Sequence, residues 1–187
     1  MMHTLTEPEY REAILRRRIL MTVKYPAIVR MFPKGTSDGL VADLVRLIRP
    51  ETLAAINTQT DYNQWVERTI ENPCWKACIK GVDVEPIRWA HVGKIVNIAI
   101  YDVLDCHQLI RETDRLRLWP WLHVPIDSVV QKHCKKLEPS FAIRKPLIRM
   151  TKEDYRDIQE RMRDVADKQN VPPIWFEAVW SAERGME

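Results

Sequence analysis

Strand-like alternation is almost absent from this chain, while stretch after stretch repeats its apolar residues at helical spacing. Glycine is scarce, with five residues, and prolines number 12. Together these features predict an all-α fold. A length of 187 residues suits one domain, or two small lobes sharing one interface, and is enough to bury a substantial core.

Caps and stops divide the chain. Thr6 and Glu9 have the spacing of a capping box, which predicts a helix to about Lys24 carrying Arg11, Arg16, Arg17 and Arg18. Tyr25-Pro26 breaks it, and Phe32 to Gly35 reads as a loop. Ser37 or Asp38 can cap a helix with Leu40, Val41, Leu44, Val45, Leu47 and Ile48 on a wide apolar face. Pro50 opens a short helix to Ile56, and Asp61 can cap one holding Trp65, Val66 and Ile70. Asn72-Pro73 ends that helix. A short helical piece, Cys74 to Lys80, stops at Gly81. Pro86 then leads to Gly93 and an apolar helix, Lys94 to Leu104. Residues 105–121 are polar, read as a helix plus a loop, and end in Trp119-Pro120-Trp121. Pro125 precedes a helix entered near Asp127. Thr151 to Lys168 is an amphipathic helix with Glu153 and Asp154 in its first turn. After Pro172-Pro173 a last helix carries Trp175, Phe176, Val179 and Trp180, with both tryptophans expected in the core.

The net charge is only +3, so any nucleic-acid surface must be a local patch. No basic segment followed by an apolar run opens the chain, and no apolar run approaches the roughly 20 residues of a membrane span. The expectation is a cytoplasmic protein. Cys74, Cys78, Cys106 and Cys134 are then free thiols. Cys74 and Cys78, four apart, can share a helix face with His107 or His133 as zinc ligands, but that spacing is a weak metal signature, and neither metal nor cofactor is expected.

Two segments carry the chemistry. Ala90-His-Val-Gly-Lys-Ile-Val-Asn97 puts Gly93 and Lys94 at the mouth of an apolar helix. Val124-Pro-Ile-Asp127-Ser-Val-Val130 puts one carboxylate at the start of another, followed by the basic stretch Lys132, Lys135 and Lys136. In order and element type they resemble the core of the helix-hairpin-helix DNA glycosylases. There a glycine hairpin leads through a lysine into a helix, and a later segment supplies an aspartate. The resemblance covers residues 86–137. It implies a two-lobed helical domain over residues 1–187, with lobes of about 1–85 and 86–187. Two departures stand out: Val92 occupies the place of the hairpin's second glycine, and the segment at 105–121 lengthens the path from Lys94 to Asp127. No cysteine follows Cys134 to build an iron–sulfur cluster.

The resemblance implies base excision from an extruded nucleotide of double-stranded DNA. Breaking an N-glycosidic bond builds positive charge on the deoxyribose. Asp127 would stabilise that charge or orient water, and Lys94 would attack C1′ or act as an electrostatic partner. Gly93, His91, Asn97, Lys132, Lys135 and Lys136 are the candidate DNA contacts. His123, Trp119, Trp121 and Tyr101 are candidates for the base pocket, with Asp102 beside Tyr101. Each has a plainer reading: Lys94 as a solvated lysine, Asp127 as an ordinary N-cap, His123 and the tryptophans as core. The chain also looks similar to small prokaryotic and phage-associated members of this fold that act on modified bases in phage DNA. That implies an antiviral glycosylase for a bulky modified base such as glucosylated hydroxymethylcytosine. Two other functions stay open: transfer of an amino acid or polyamine in thymine hypermodification, and DNA binding without catalysis.

Overall fold

The computed structural model describes residues 6–30, 32–77, 88–137 and 146–183, and every regular element among them is helical. The helices are α1 (Glu7–Lys24), α2 (Pro26–Val29), α3 (Ser37–Leu47), α4 (Pro50–Ala55) and α5 (Gln59–Ile70) in the first half. They are followed by α6 (Trp89–Leu104), α7 (Glu112–Leu118), α8 (Ser128–Leu137), α9 (Lys152–Gln169) and α10 (Trp175–Glu183). Short 3-10 turns cover Pro73–Ala77, Trp119–Trp121 and Leu147–Arg149. Among the described residues no helix is long and apolar enough to cross a membrane.

Local chemistry sets these boundaries. The Glu9 carboxylate accepts from the Thr6 backbone N–H at 2.8 Å, so α1 starts where its capping box predicts. At α9 the box closes both ways: the Thr151 hydroxyl accepts from Asp154 N–H at 3.2 Å and Asp154 accepts from Thr151 N–H at 3.0 Å. Asn170, at φ 54°, ends that helix in the left-handed conformation asparagine tolerates. Two caps differ from expectation. Thr36 precedes α3, and Thr58, not Asp61, caps α5; Asp61 sits at the third position and donates its N–H to the Thr58 hydroxyl.

The helix α6 is the axis of the molecule. α1, α5, α9 and the turn at Leu147–Arg149 all pack on it, and α1 also packs on α3. The buried apolar residues form one cluster from Leu15 to Trp180, spanning both halves of the chain. Because α6 is covered on nearly every side, its residues are almost all buried. The exceptions form one stripe at helical spacing: His91, Ile98, Tyr101 and Asp102 are half-buried. Arginines tie the periphery together. Arg117 donates to the Ala54 and Ile56 carbonyls at the end of α4, and Arg11 donates to the Leu109 carbonyl at 2.8 Å.

The last helix departs from expectation. Trp180 is buried and stacks on His133 (4.8 Å between centroids) and Phe176 (5.1 Å), but Trp175 is 51% exposed and so is not a core residue. Of the cysteines, Cys106 and Cys134 are buried and Cys74 half-buried, all as free thiols. Burial pushes the Cys134 thiol up to about 12. Cys78, Gly81 and Pro86 lie outside the described residues.

Candidate active site

The chain enters α8 through an extended segment, Leu122 to Asp127, that is buried along its length. Gln159 of α9 holds it: its amide donates to the Val124 carbonyl at 2.8 Å and accepts from the Val124 N–H at 2.9 Å. Both backbone groups of a buried residue are thereby satisfied without a neighbouring strand. The segment delivers Asp127 to the N-terminus of α8. Asp127 Oδ1 accepts from the Val129 and Val130 N–H groups at 2.8 and 3.0 Å.

Its second oxygen faces α6. Lys94 Nζ donates to Asp127 Oδ2 at 2.7 Å across a sequence separation of 33. Both partners are buried, Lys94 at 7% exposed and Asp127 at 6%. An ion pair this far out of water is rare unless it is held on several sides. Burial works to raise the Asp127 carboxyl. The Lys94 hydrogen bond and charge, with the Val129 and Val130 amides, outweigh it and hold the group below the ordinary aspartate range. Asp127 is thus both an N-cap and a charged group with a partner of its own.

Lys94 stands differently from expectation. The helix α6 begins at Trp89, more than a turn before the lysine, so Gly93 and Lys94 lie in its second turn and not at its mouth. Gly93 is therefore no phosphate-binding hairpin glycine. A Cβ built on it would lie 2.8 Å from Tyr155 Cε2, so the missing side chain lets α6 and α9 approach. Asn97 is no DNA contact either: it is 1% exposed, and its amide donates to Tyr155 Oη at 2.8 Å.

His123, expected in the base pocket, belongs to the same buried network. Its Nδ1 lies 3.1 Å from Tyr155 Oη and its Nε2 lies 2.9 Å from Asn63 Oδ1. With Asn97 donating to Tyr155, the consistent order has Tyr155 O–H donating to Nδ1 and Nε2–H donating to Asn63. Burial first, and Arg163 second, push the imidazole down to about 3, so it stays neutral. This network lines a polar cavity of about 290 Å³ between α5 and α9, with Glu67 and Arg163. Its signal in the sequence was faint: Gln159 on the apolar stripe of α9, and Tyr155 one turn before it.

A second cleft, about 400 Å³, opens along the half-buried stripe of α6. It is lined by Met21, Thr22 and Tyr25 of the α1–α2 region, Ile98, Tyr101 and Asp102 of α6, Pro125, Ile174 and Glu177. Pro125 is two residues before Asp127 and Ile98 is one turn from Lys94, while Lys94 and Asp127 themselves are not among the described lining residues. Tyr101 is among the lining residues of this cleft. Trp119 and Trp121 are not among its lining residues. Trp119 instead packs on the back of Tyr101, at 5.3 Å between centroids, with the Arg115 guanidinium over its ring at 5.2 Å. Trp121 is half-buried against the core.

The charged surroundings fall on two elements. Lys132, Lys135 and Lys136 are exposed on α8, the helix that Asp127 caps. His91 lies one turn before Lys94; burial, then Arg88 and Lys94, lower its imidazole and keep it neutral. Among the described residues no three His, Cys, Asp or Glu side chains converge as metal ligands. Comparison with family models, with characterised proteins and with solved structures gave no match.

Proposed function

We propose that this protein is a DNA N-glycosylase that excises a modified base from an extruded nucleotide. The observation that carries the reading is the buried Lys94–Asp127 pair; a largely apolar cleft is lined by Ile98 and Pro125, close in the chain to each partner. The pair is a costly arrangement, since two charges in a core stabilise a fold less than hydrocarbon of the same volume. A carboxylate held ionised by fixed donors suits a positive charge developing on a deoxyribose, because nothing must reorganise as the charge forms. The ammonium at 2.7 Å fits two roles. As a fixed charge it positions Asp127 and an incoming phosphate or water. As a nucleophile it must first yield a proton, and Asp127 Oδ2 lies within reach to accept it.

The cleft is the natural place for the extruded base. Its volume exceeds the needs of a bare pyrimidine, which supports a bulky modified base and, with the sequence resemblance, a role against phages whose DNA carries such bases. The exposed lysines of α8 supply phosphate contacts along the helix that Asp127 caps.

The decisive experiment incubates the protein with natural and hypermodified phage DNAs and measures released bases and abasic sites by mass spectrometry. Free base with an abasic site supports the reading. Altered nucleosides without base loss would replace it with group transfer. DNA binding with no chemistry on any substrate would leave a binding module.

A further inference from the structure

The cleft along the half-buried stripe of α6 has a chemistry of its own. Most of its wall is carbon, from Met21, Ile98, Pro125 and Ile174. Two carboxylates, Asp102 and Glu177, line it as well, and among the described lining residues there is no Lys, Arg or His. Asp102 takes one hydrogen bond from the Thr22 hydroxyl, at its Oδ2. Burial, with Asp105 adding and Thr22 and Arg18 opposing, raises its carboxyl above the ordinary range. Its hydrogen-bond donor is neutral, and Arg18, the cation acting on it, lies outside the described lining, so the cleft wall itself supplies no counter-charge.

We propose that this cleft binds a protonated primary amine carried on an apolar body, with the ammonium on Asp102 and the hydrocarbon against Ile98 and Pro125. Tyr25 and Tyr101 are both in the lining and add aromatic surface to the same wall. A neutral polyol is the poorer fit. It brings donors and acceptors in equal number, whereas the polar groups of the described lining are mostly acceptors. Asp102 lies eight residues beyond Lys94 on α6, roughly 12 Å along the axis. An amine held there extends its carbon chain over Ile98 and Pro125. The inference rests on the cleft and not on the glycosylase reading. Where both hold, the excised base carries an amine-ended substituent.

The test is equilibrium binding of n-hexylamine and its neutral counterpart n-hexanol to the full chain, by calorimetry or NMR. Hexylamine should bind at least about tenfold tighter than hexanol, and Asp102→Asn should erase that preference while keeping hexanol binding, since Asn still accepts from Thr22. Ile98→Lys, at a half-buried position, places a competing ammonium in the cleft and should abolish hexylamine binding in a folded protein. Equal affinity for both probes, no hexylamine binding to the folded wild type, or a preference surviving in either variant would overturn the proposal. Base release from DNA is scored separately. Hexylamine selectivity without base release sinks only the glycosylase reading, and base release without hexylamine selectivity sinks only the amine cleft.

Discussion

Asp127 does two jobs with its two oxygens, and substitutions separate them. Asp127→Asn keeps an N-cap acceptor for Val129 and Val130. It leaves the Lys94 ammonium buried without its counter-charge, a loss of about 3–5 kcal/mol. Lys94→Met fills the space with carbon but strands the carboxylate. The double variant Lys94→Met/Asp127→Asn removes both charges. Chemical denaturation should show it recovering most of the stability lost by either single change, while base release stays orders of magnitude down. Additive losses in the double variant would mean that the two side chains do not act as a pair. The sign of the pH effect follows from the same contacts. A carboxyl held below its unfolded value contributes stability that is complete above the unfolded pKa and lost as pH falls through the folded one. A carboxyl-carbon NMR titration should therefore find Asp127 ionised through the ordinary aspartate range in the wild type. In Lys94→Met its midpoint should rise, because the largest contributions opposing burial, the Lys94 hydrogen bond and charge, are then gone. An unchanged midpoint would show that Lys94 contributes nothing to the charge state.

At the scale of elements, the packing of α6 on α9 decides what Gly93 is for. Gly93→Ala gains about 1 kcal/mol of helix propensity. It also drives a methyl to within 2.8 Å of a Tyr155 ring that Asn97 and His123 hold in place. Overpacking of this kind costs about 1–3 kcal/mol, so the melting temperature should fall with DNA affinity intact where the variant is folded. A hairpin glycine would give the opposite result, lost affinity at full stability. Gln159→Leu tests the other anchor. It removes both bonds to Val124 and frees the segment that aims Asp127, so kcat should fall more than KM rises. Much of this level was legible beforehand. The order and type of the elements follow from capping residues, prolines and 3.6-residue periodicity, and Asp127 at the head of α8 was readable from Val124-Pro125-Ile126 before it. The start of α6 was not, because Trp89 and Ala90 carry no cap signal and Gly93 reads as a stop. The networks of Tyr155 and Gln159 were not either, since periodicity gives the buried face of α9 but not the helix it meets. The half-buried stripe of α6 was half visible: His91, Tyr101 and Asp102 are polar positions in a largely apolar helix, but only the packing of α1 and α10 around Tyr101 and Asp102 makes a cleft.

For the whole molecule, a net charge of +3 leaves little long-range field to draw DNA, so affinity must come from where the cations sit. Three exposed lysines share the helix whose N-terminus Asp127 caps, Lys132 midway along it and Lys135 and Lys136 in its last turn. If Lys132, Lys135 and Lys136 each neutralise one phosphate, replacing all three with Ala should lower the slope of log affinity against log salt by about 3, at roughly 0.9 per contact. The loss should be uniform across sequences, since phosphate contacts position the duplex without reading it. Replacing Arg16 and Arg17, exposed on α1, is the matched control and should leave the slope unchanged. The variant should also retain the wild-type rate of base release once DNA is saturating, because these side chains are exposed and the Lys94–Asp127 pair is buried apart from solvent. A salt slope unaffected by the lysine changes but reduced by the arginine changes would move the DNA surface from α8 to α1. The glycosylase reading would then lose the phosphate contacts it places on the helix that Asp127 caps.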